Sequence, residues 1–158
     1  HNIEVIHSYF EDYIASEQFD VIIMGFILEH VDNPDLILSR FSKFLKRGGR
    51  LYIAVPNAKS LNRRIGYELG KIKDIYELNE NDISLGHQRQ YCRETIKQLL
   101  ISHDFNITWE EGIYLKPLPL GYMQMMPEFM ENLEAMCKVG VEFPDLCVGL
   151  LMEAEIIQ

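Results

Sequence analysis

Phe19-Asp20-Val21-Ile22-Ile23-Met24-Gly25-Phe26-Ile27-Leu28-Glu29-His30-Val31 sets an acid before a run of apolar residues, stops the run at a glycine and follows it with a Glu-His pair. Four apolar residues from Val21 to Met24, led in by Phe19-Asp20, have the pattern of a strand buried on both faces. Open α/β sheets bind their ligands just past the ends of such strands. Gly25 to His30 is therefore the first place to expect chemistry.

Downstream, Asp32-Asn33-Pro34 is a helix start, an Asx cap followed by proline where a missing N–H costs nothing. Ile37, Phe41, Phe44 and Leu45 share one helical face. Lys43, Lys46 and Arg47 crowd the expected last turn, and Gly48 supplies the left-handed residue beyond it. Arg50 to Val55 (RLYIAV) predicts a second buried strand, stopped by Pro56-Asn57. Strand, helix and strand within so short a span predict a right-handed βαβ unit with parallel strands. Upstream, Ile3 to His7 predicts a short strand and Tyr9 to Ser16 a loop or short helix.

Past Asn57 the pattern weakens. Residues 58–82 predict two short helices over the sheet edge. Glu94 to His103 predicts a helix with Ile96, Leu99 and Leu100 on one face, and Asn106 to Leu115 a strand ended by Pro117 and Pro119. Glu128 to Val139 predicts a helix. Leu146 to Ile157 predicts a last strand, whose Glu153 and Glu155 suit a partly exposed sheet edge.

The 158 residues suit a single α/β domain able to bury roughly two-thirds of its unfolded surface. With 47% hydrophobic and 25% charged residues the chain reads as soluble and globular. Fifteen basic against twenty-four acidic residues give a net charge of −9, which argues against a nucleic-acid partner. Cys92, Cys137 and Cys147 are odd in number and lack CxxC spacing, so neither a disulfide framework nor a zinc site follows and a reduced, cytoplasmic setting is expected. No apolar run is long enough to span a bilayer and no signal peptide opens the chain. His1 in place of Met predicts a fragment, a processed product or the ordered part of something longer.

The segments FDVIIMGFILEHVDNPDLIL, FLKRGGRLYIAVPN and GHQRQYCRETIKQLLISHDFNI resemble, in that order, the second half of a class I S-adenosylmethionine-dependent methyltransferase. The resemblance runs from about Ile3 to the chain end and covers that family's fourth strand through its seventh. It implies a partial Rossmann-like sheet, mostly parallel with an antiparallel edge strand, its first strands missing. It also implies substrate-side insertions at 58–91 and 116–140, and methyl transfer from S-adenosylmethionine to a small-molecule acceptor. The family's glycine-rich cofactor loop has no counterpart: the ten glycines form no G-x-G. Because such a loop supplies backbone N–H groups that no side chain replaces, this chain alone is expected to bind the cofactor poorly and to be inactive. An open sheet edge would invite a homodimer or a partner.

The resemblance places Phe10 and Glu11 by the adenine ring, and Gly25 and Phe26 by the cofactor's methionine end. His30 is a candidate general base, imidazole titrating near neutral pH. Glu29 with His30 suggests a divalent ion in some related quinone methyltransferases, but Phe26 stands where their second glutamate would be, so no metal is expected. Glu29 and His30 could instead cap the next loop. Asn57 could shape the substrate mouth or merely turn the chain. In the element GHQRQY, His87 could orient or deprotonate an acceptor hydroxyl, and Arg89 could hold a carboxylate or phosphate. Arg89 could equally pair with an acid and Tyr91 simply pack. The resemblance places Glu29, Tyr91 and Tyr114 on the substrate side, and Met123 to Met126 suit a lid or plain packing. Two readings from other classes stay open: a non-catalytic binding or regulatory module, and half of a dinucleotide oxidoreductase, the latter disfavoured by the lack of G-x-G-x-x-G.

Overall fold

The computed structural model describes residues 3–157. Its centre is a four-stranded sheet in the order β1-β2-β4-β3, with β1 at Phe19–Gly25, β2 at Leu45–Pro56, β3 at Phe105–Gly112 and β4 at Gly149–Ile156. β1 and β2 pair in parallel, joined by helix α1 (Pro34–Phe41), as the βαβ pattern predicts. Asn33 caps α1, its side chain accepting from the Leu36 N–H at 2.9 Å, with Pro34 at the first helical position. The expected short helices after Asn57 are α2 (Leu61–Glu68) and α3 (Glu80–Ser84). The third is α4 (Arg93–Ser102), and α5 (Leu120–Met123) and α6 (Phe129–Gly140) lie between β3 and β4.

Several expectations need correction. The segment from Ile3 to His7 forms no strand; Ile3 and Val5 are 88% and 90% exposed, and no strand among the described residues pairs with them. Helix α1 ends at Phe41, followed by a 3-10 turn over Ser42–Phe44, and Leu45 already opens β2. Lys46 and Arg47 therefore lie in a strand rather than against a helix C-terminus. Between the pairs Phe19↔Leu45 and Val21↔Arg50, β2 carries an irregular segment that Gly48 turns at φ +73°. Gly49 lies there with its backbone against Phe19 and Asp20, where a Cβ would come within 3.1 Å of the Phe19 carbonyl oxygen.

The antiparallel strand is β4, but it lies inside the sheet between β2 and β3, not at an edge. Its acids are accommodated by partners rather than by an open rim. Glu153 accepts from Arg50 at 3.1 Å, from Thr108 at 2.8 Å and from the Tyr52 hydroxyl.

The core lies on the face covered by α1 and α4, where Met24, Ile37, Leu38, Ile53, Ile96 and Leu100 are buried together. The other face is largely bare. Ile23, Tyr52, Glu153 and Trp109 lie in register across it, with Ile23 74% and Trp109 43% exposed. Burial of β1 on both faces is thus corrected to burial on one, because no element among the described residues covers the second. No helix among them is long and apolar enough to cross a membrane.

Candidate functional site

Parallel β1 and β2 point their C-terminal ends the same way, so the turn from Gly25 to His30 and the turn Pro56-Asn57 share one rim of the sheet. The Phe26 N–H donates to the Ala54 carbonyl at 2.8 Å, tying the two together. Phe26 stands at φ +57°, a left-handed conformation that side chains other than glycine adopt at a cost of ~1–2 kcal/mol. A Cβ on Gly25 would meet nothing within 4 Å. Open space therefore stands over the end of β1.

Gly86 to Tyr91 lies across this turn and satisfies its carbonyls. The Gln88 N–H donates to the Glu29 carbonyl at 2.8 Å, and its side-chain amide donates to the His30 carbonyl and to Asp32, both at 2.7 Å. Arg89 donates to the Leu28 carbonyl at 2.9 Å, the Asp32 carbonyl at 3.1 Å and the Val31 carbonyl. The Tyr91 hydroxyl, buried at 6% exposure, donates to the Leu28 carbonyl at 3.3 Å. Burial pushes its pKa up to about 12, Arg89 opposing. The two sequence motifs are one structural unit. Arg89 is engaged by backbone and is not free to hold an acceptor anion, which corrects that expectation.

Inside the unit sit Glu29, His30 and His87. Glu29 is fully buried and neither carboxylate oxygen has a hydrogen-bond partner among the described residues. Burial holds its carboxyl above the usual carboxylate range, with its own backbone amide and His30 opposing. Glu29 Oε1 lies 4.0 Å from His30 Nε2. The imidazoles of His30 and His87 meet edge to face at 4.7 Å. His87 Nδ1 is buried without a hydrogen bond, 3.7 Å from Asp82 Oδ1. Desolvation first, and then His30, pull the His87 pKa below its usual value; Asp82 opposes. Donor atoms of the three residues lie within 4.8 Å of one another. Ligands ~2.0–2.2 Å from a tetrahedral ion would stand roughly 3.4 Å apart. The 4.0 Å separation of Glu29 Oε1 and His30 Nε2 is longer than neighbouring ligands of a tetrahedral ion and longer than a hydrogen bond, so the two side chains act on one another through charge and not through a direct hydrogen bond.

Phe10 and Glu11 join His30, Val31, Asp32 and Leu36 around a groove of about 470 Å³. The Phe10 ring packs edge-on against Phe41 at 6.2 Å and remains 41% exposed. Gly25 and Phe26 do not line this groove. Asn57 is buried, its amide donating to the Asp145 and Cys147 carbonyls at 3.0 and 2.9 Å and its oxygen accepting from the Lys59 N–H. It holds the chain rather than offering free groups to a substrate. Tyr114 packs beside Gly140 and lines neither the groove nor the cavity around Asp82. A cleft of about 740 Å³ around Lys59, Tyr67 and Asp74 contains none of the candidates.

Sequence reasoning missed Asp82. Its carboxylate accepts from Arg63 at 3.4 Å, from Gln90 at 3.0 Å and from the Asn79 N–H at 3.0 Å. Asn79 and Asp82 form a reciprocal cap on α3, and Asn-x-x-acid before a helix is a signal the sequence did carry.

Among solved structures, the chain is 16% identical to an S-adenosylmethionine-dependent methyltransferase from Mesorhizobium loti, with a TM-score of 0.56 over 93% of this chain and 66% of that one. It is 15% identical to a SAM-dependent methyltransferase from Thermotoga maritima, with a TM-score of 0.59 over 94% of this chain and 61% of that one. Against phosphoethanolamine N-methyltransferase 2 from Haemonchus contortus the identity is 16% and the TM-score 0.55, over 95% and 36%. The chain thus spans two-thirds or less of each of these proteins. These likenesses show the fold. No curated protein sequence matches the chain significantly. The family described as a methyltransferase domain matches residues 3–110, more than half of the chain, and the protein belongs to that family.

Proposed function

We propose that the domain serves methyl transfer from S-adenosylmethionine to a small-molecule acceptor, with the acceptor's proton taken up at the Glu29–His30–His87 cluster. The observation that carries this reading is the joining of that half-buried cluster, through His30, to the groove that Phe10 and Glu11 also line. Of the neighbours named above, the phosphoethanolamine N-methyltransferase 2 from Haemonchus contortus is held in complex with S-adenosyl-L-methionine, and the residues present suit part of such a ligand. Phe10 offers an exposed ring face for a base and Glu11 an acceptor for an exocyclic amine, while the open space over Gly25 admits a methionine tail.

The bound cofactor supplies an activated methyl on a sulfonium. His30 faces the groove and takes the acceptor's proton. His87, edge-on to it, fixes its ring orientation. Ionised Glu29, 4.0 Å from His30, would stabilise the imidazolium formed. Arg89, Gln88 and Tyr91 hold the turn that presents Glu29 and His30. Residues 58–91 and 116–140 form the acceptor side. A partner would pair along β1, the end strand of the sheet, where Val21 and Ile23 are exposed.

Lacking a G-x-G loop, the chain should bind S-adenosylmethionine more weakly than micromolar in a calorimetric titration. At millimolar labelled cofactor, ultraviolet crosslinking should mark the peptides holding Phe10 or Phe26. Micromolar binding would overturn the weak-binding expectation. Absence of label at both peptides would overturn the cofactor reading and favour a non-catalytic binding module.

A further inference from the structure

Asp82 lies in α3 and His87 just beyond its end. The His87 N–H donates to the Asp82 carbonyl at 2.9 Å, and the Gly86 N–H to the Ile83 carbonyl at 2.9 Å. Gly86, at φ +81°, takes the left-handed conformation that folds His87 back beside Asp82. Both side chains are mostly covered, His87 at 10% and Asp82 at 13% exposure.

The two oxygens of Asp82 are used unequally. Arg63, the Gln90 side-chain amide and the Asn79 N–H all donate to Oδ2, at 3.4, 3.0 and 3.0 Å. Oδ1 accepts no hydrogen bond among the described residues and stands 3.7 Å from His87 Nδ1. That nitrogen is itself buried without a partner. The gap exceeds a hydrogen bond by about 0.5 Å, and closing it breaks no other bond of either atom. Hydrogen bonds in unliganded sites are commonly long and tighten on binding.

A neutral imidazole carries one N–H and one bare nitrogen, and the partner of each decides which is which. A bare Nδ1 would set its lone pair against those of Oδ1, away from water, where such repulsion is strong. A protonated Nδ1 turns the same approach into attraction. The other groups around His87 leave this choice to Asp82. The His30 ring meets it edge to face, Glu29 stands 4.0 Å from His30 Nε2, and Arg63 lies on the Oδ2 side of Asp82.

We infer that Asp82 is a positioning residue that fixes His87 with its proton on Nδ1, leaving Nε2 as the nitrogen open to a further proton. This is opposite to the tautomer an imidazole ordinarily prefers in water. When His30 takes the acceptor's proton on one nitrogen and releases the proton of the other, His87 can receive it at Nε2. His87 keeps its Nδ1–H throughout, and Asp82 offsets the imidazolium charge. Asp82 opposes the fall in the His87 pKa that desolvation and His30 cause, which agrees in sign. The use of this pair in proton uptake rests on the proposed methyl transfer; the tautomer does not.

The test is proton–nitrogen correlation spectroscopy of the full chain carrying isotope-labelled histidine, the His87 signals being those lost in His87→Gln. Above its titration midpoint, wild-type His87 should show a protonated Nδ1 and a bare Nε2. Asp82→Asn must keep its oxygen where the three donors meet Oδ2, so its amide turns towards His87 and donates to Nδ1. That variant should reverse which nitrogen of His87 carries the proton and lower the His87 midpoint. A carboxylate that merely caps α3 would leave His87 unaltered by the same substitution. Wild-type His87 protonated on Nε2, or an Asp82→Asn protein with His87 unaltered, would each overturn the inference, and the first needs no variant to fold. The expected tautomer without cofactor crosslinking would keep the Asp82–His87 pair and reject methyl transfer; crosslinking with His87 protonated on Nε2 would do the reverse.

Discussion

Arg89→Ala should lower stability by about 2–3 kcal/mol, from charge-assisted hydrogen bonds worth ~1.5–3 kcal/mol each, less what water restores to the freed carbonyls. For a chain of this length that corresponds to a fall in Tm of roughly 5–10 °C by calorimetry. The guanidinium bridges the carbonyls of Leu28, Val31 and Asp32, residues in one turn, to a segment more than fifty residues away. Lysine cannot restore this, because a single ammonium lacks the planar fork that reaches three carbonyls. Arg89→Lys should therefore recover less than half of the loss. The role suggested by sequence, an anchor for an acceptor anion, makes the opposite forecast: an unchanged Tm with anion binding abolished. An Arg89→Ala protein of wild-type stability would refute the structural role and return Arg89 to the substrate side.

What was legible in the sequence was whatever local chemistry decides. The Asn33 cap with Pro34, the run from Val21 to Met24 and the stop at Pro56-Asn57 each rest on neighbouring residues, and each stands where expected. The errors come from tertiary context. Leu45 continues a helical face, yet pairing with Phe19 draws it into β2. Glu153 and Glu155 suggest an edge only if their partners are unknown; Arg50, Tyr52 and Thr108 come from two other strands. Ile3 to His7 has β-branched residues but no strand beside it.

The site divides the same way. His30 and His87 are legible singly, as residues with suitable chemistry after a strand and in a glycine-led loop. That their rings meet depends on Gly86 to Tyr91 folding over the Leu28–Asp32 turn, and neither segment signals the other. The role of Asp82 was hidden because it depends on Arg63, Asn79 and Gln90 converging on one carboxylate.

Glu29→Gln should raise stability at neutral pH by ~1–2 kcal/mol, because a neutral carboxamide replaces a buried carboxylate charge that has no partner, while slowing any methyl transfer. The folded protein holds the Glu29 proton more tightly than the unfolded chain does, because burial raises its pKa from 4.5. Below that unfolded value both states are protonated, and wild type and variant should differ little. As pH rises past 4.5 the unfolded chain ionises first, so wild-type stability falls until the folded carboxyl ionises too. Glutamine has no such term. The gap between the two denaturation curves should therefore open from about pH 4.5 upward and then level off. A merely structural glutamate would show the reverse, with the variant less stable at every pH. A rise in stability with a loss of turnover would mark Glu29 as a charge kept buried for the imidazoles beside it, at the expense of the fold. A variant less stable than wild type at pH 7 would instead show that the carboxylate has found a partner, and would remove the reason for treating Glu29 as an unpartnered charge held for the imidazoles.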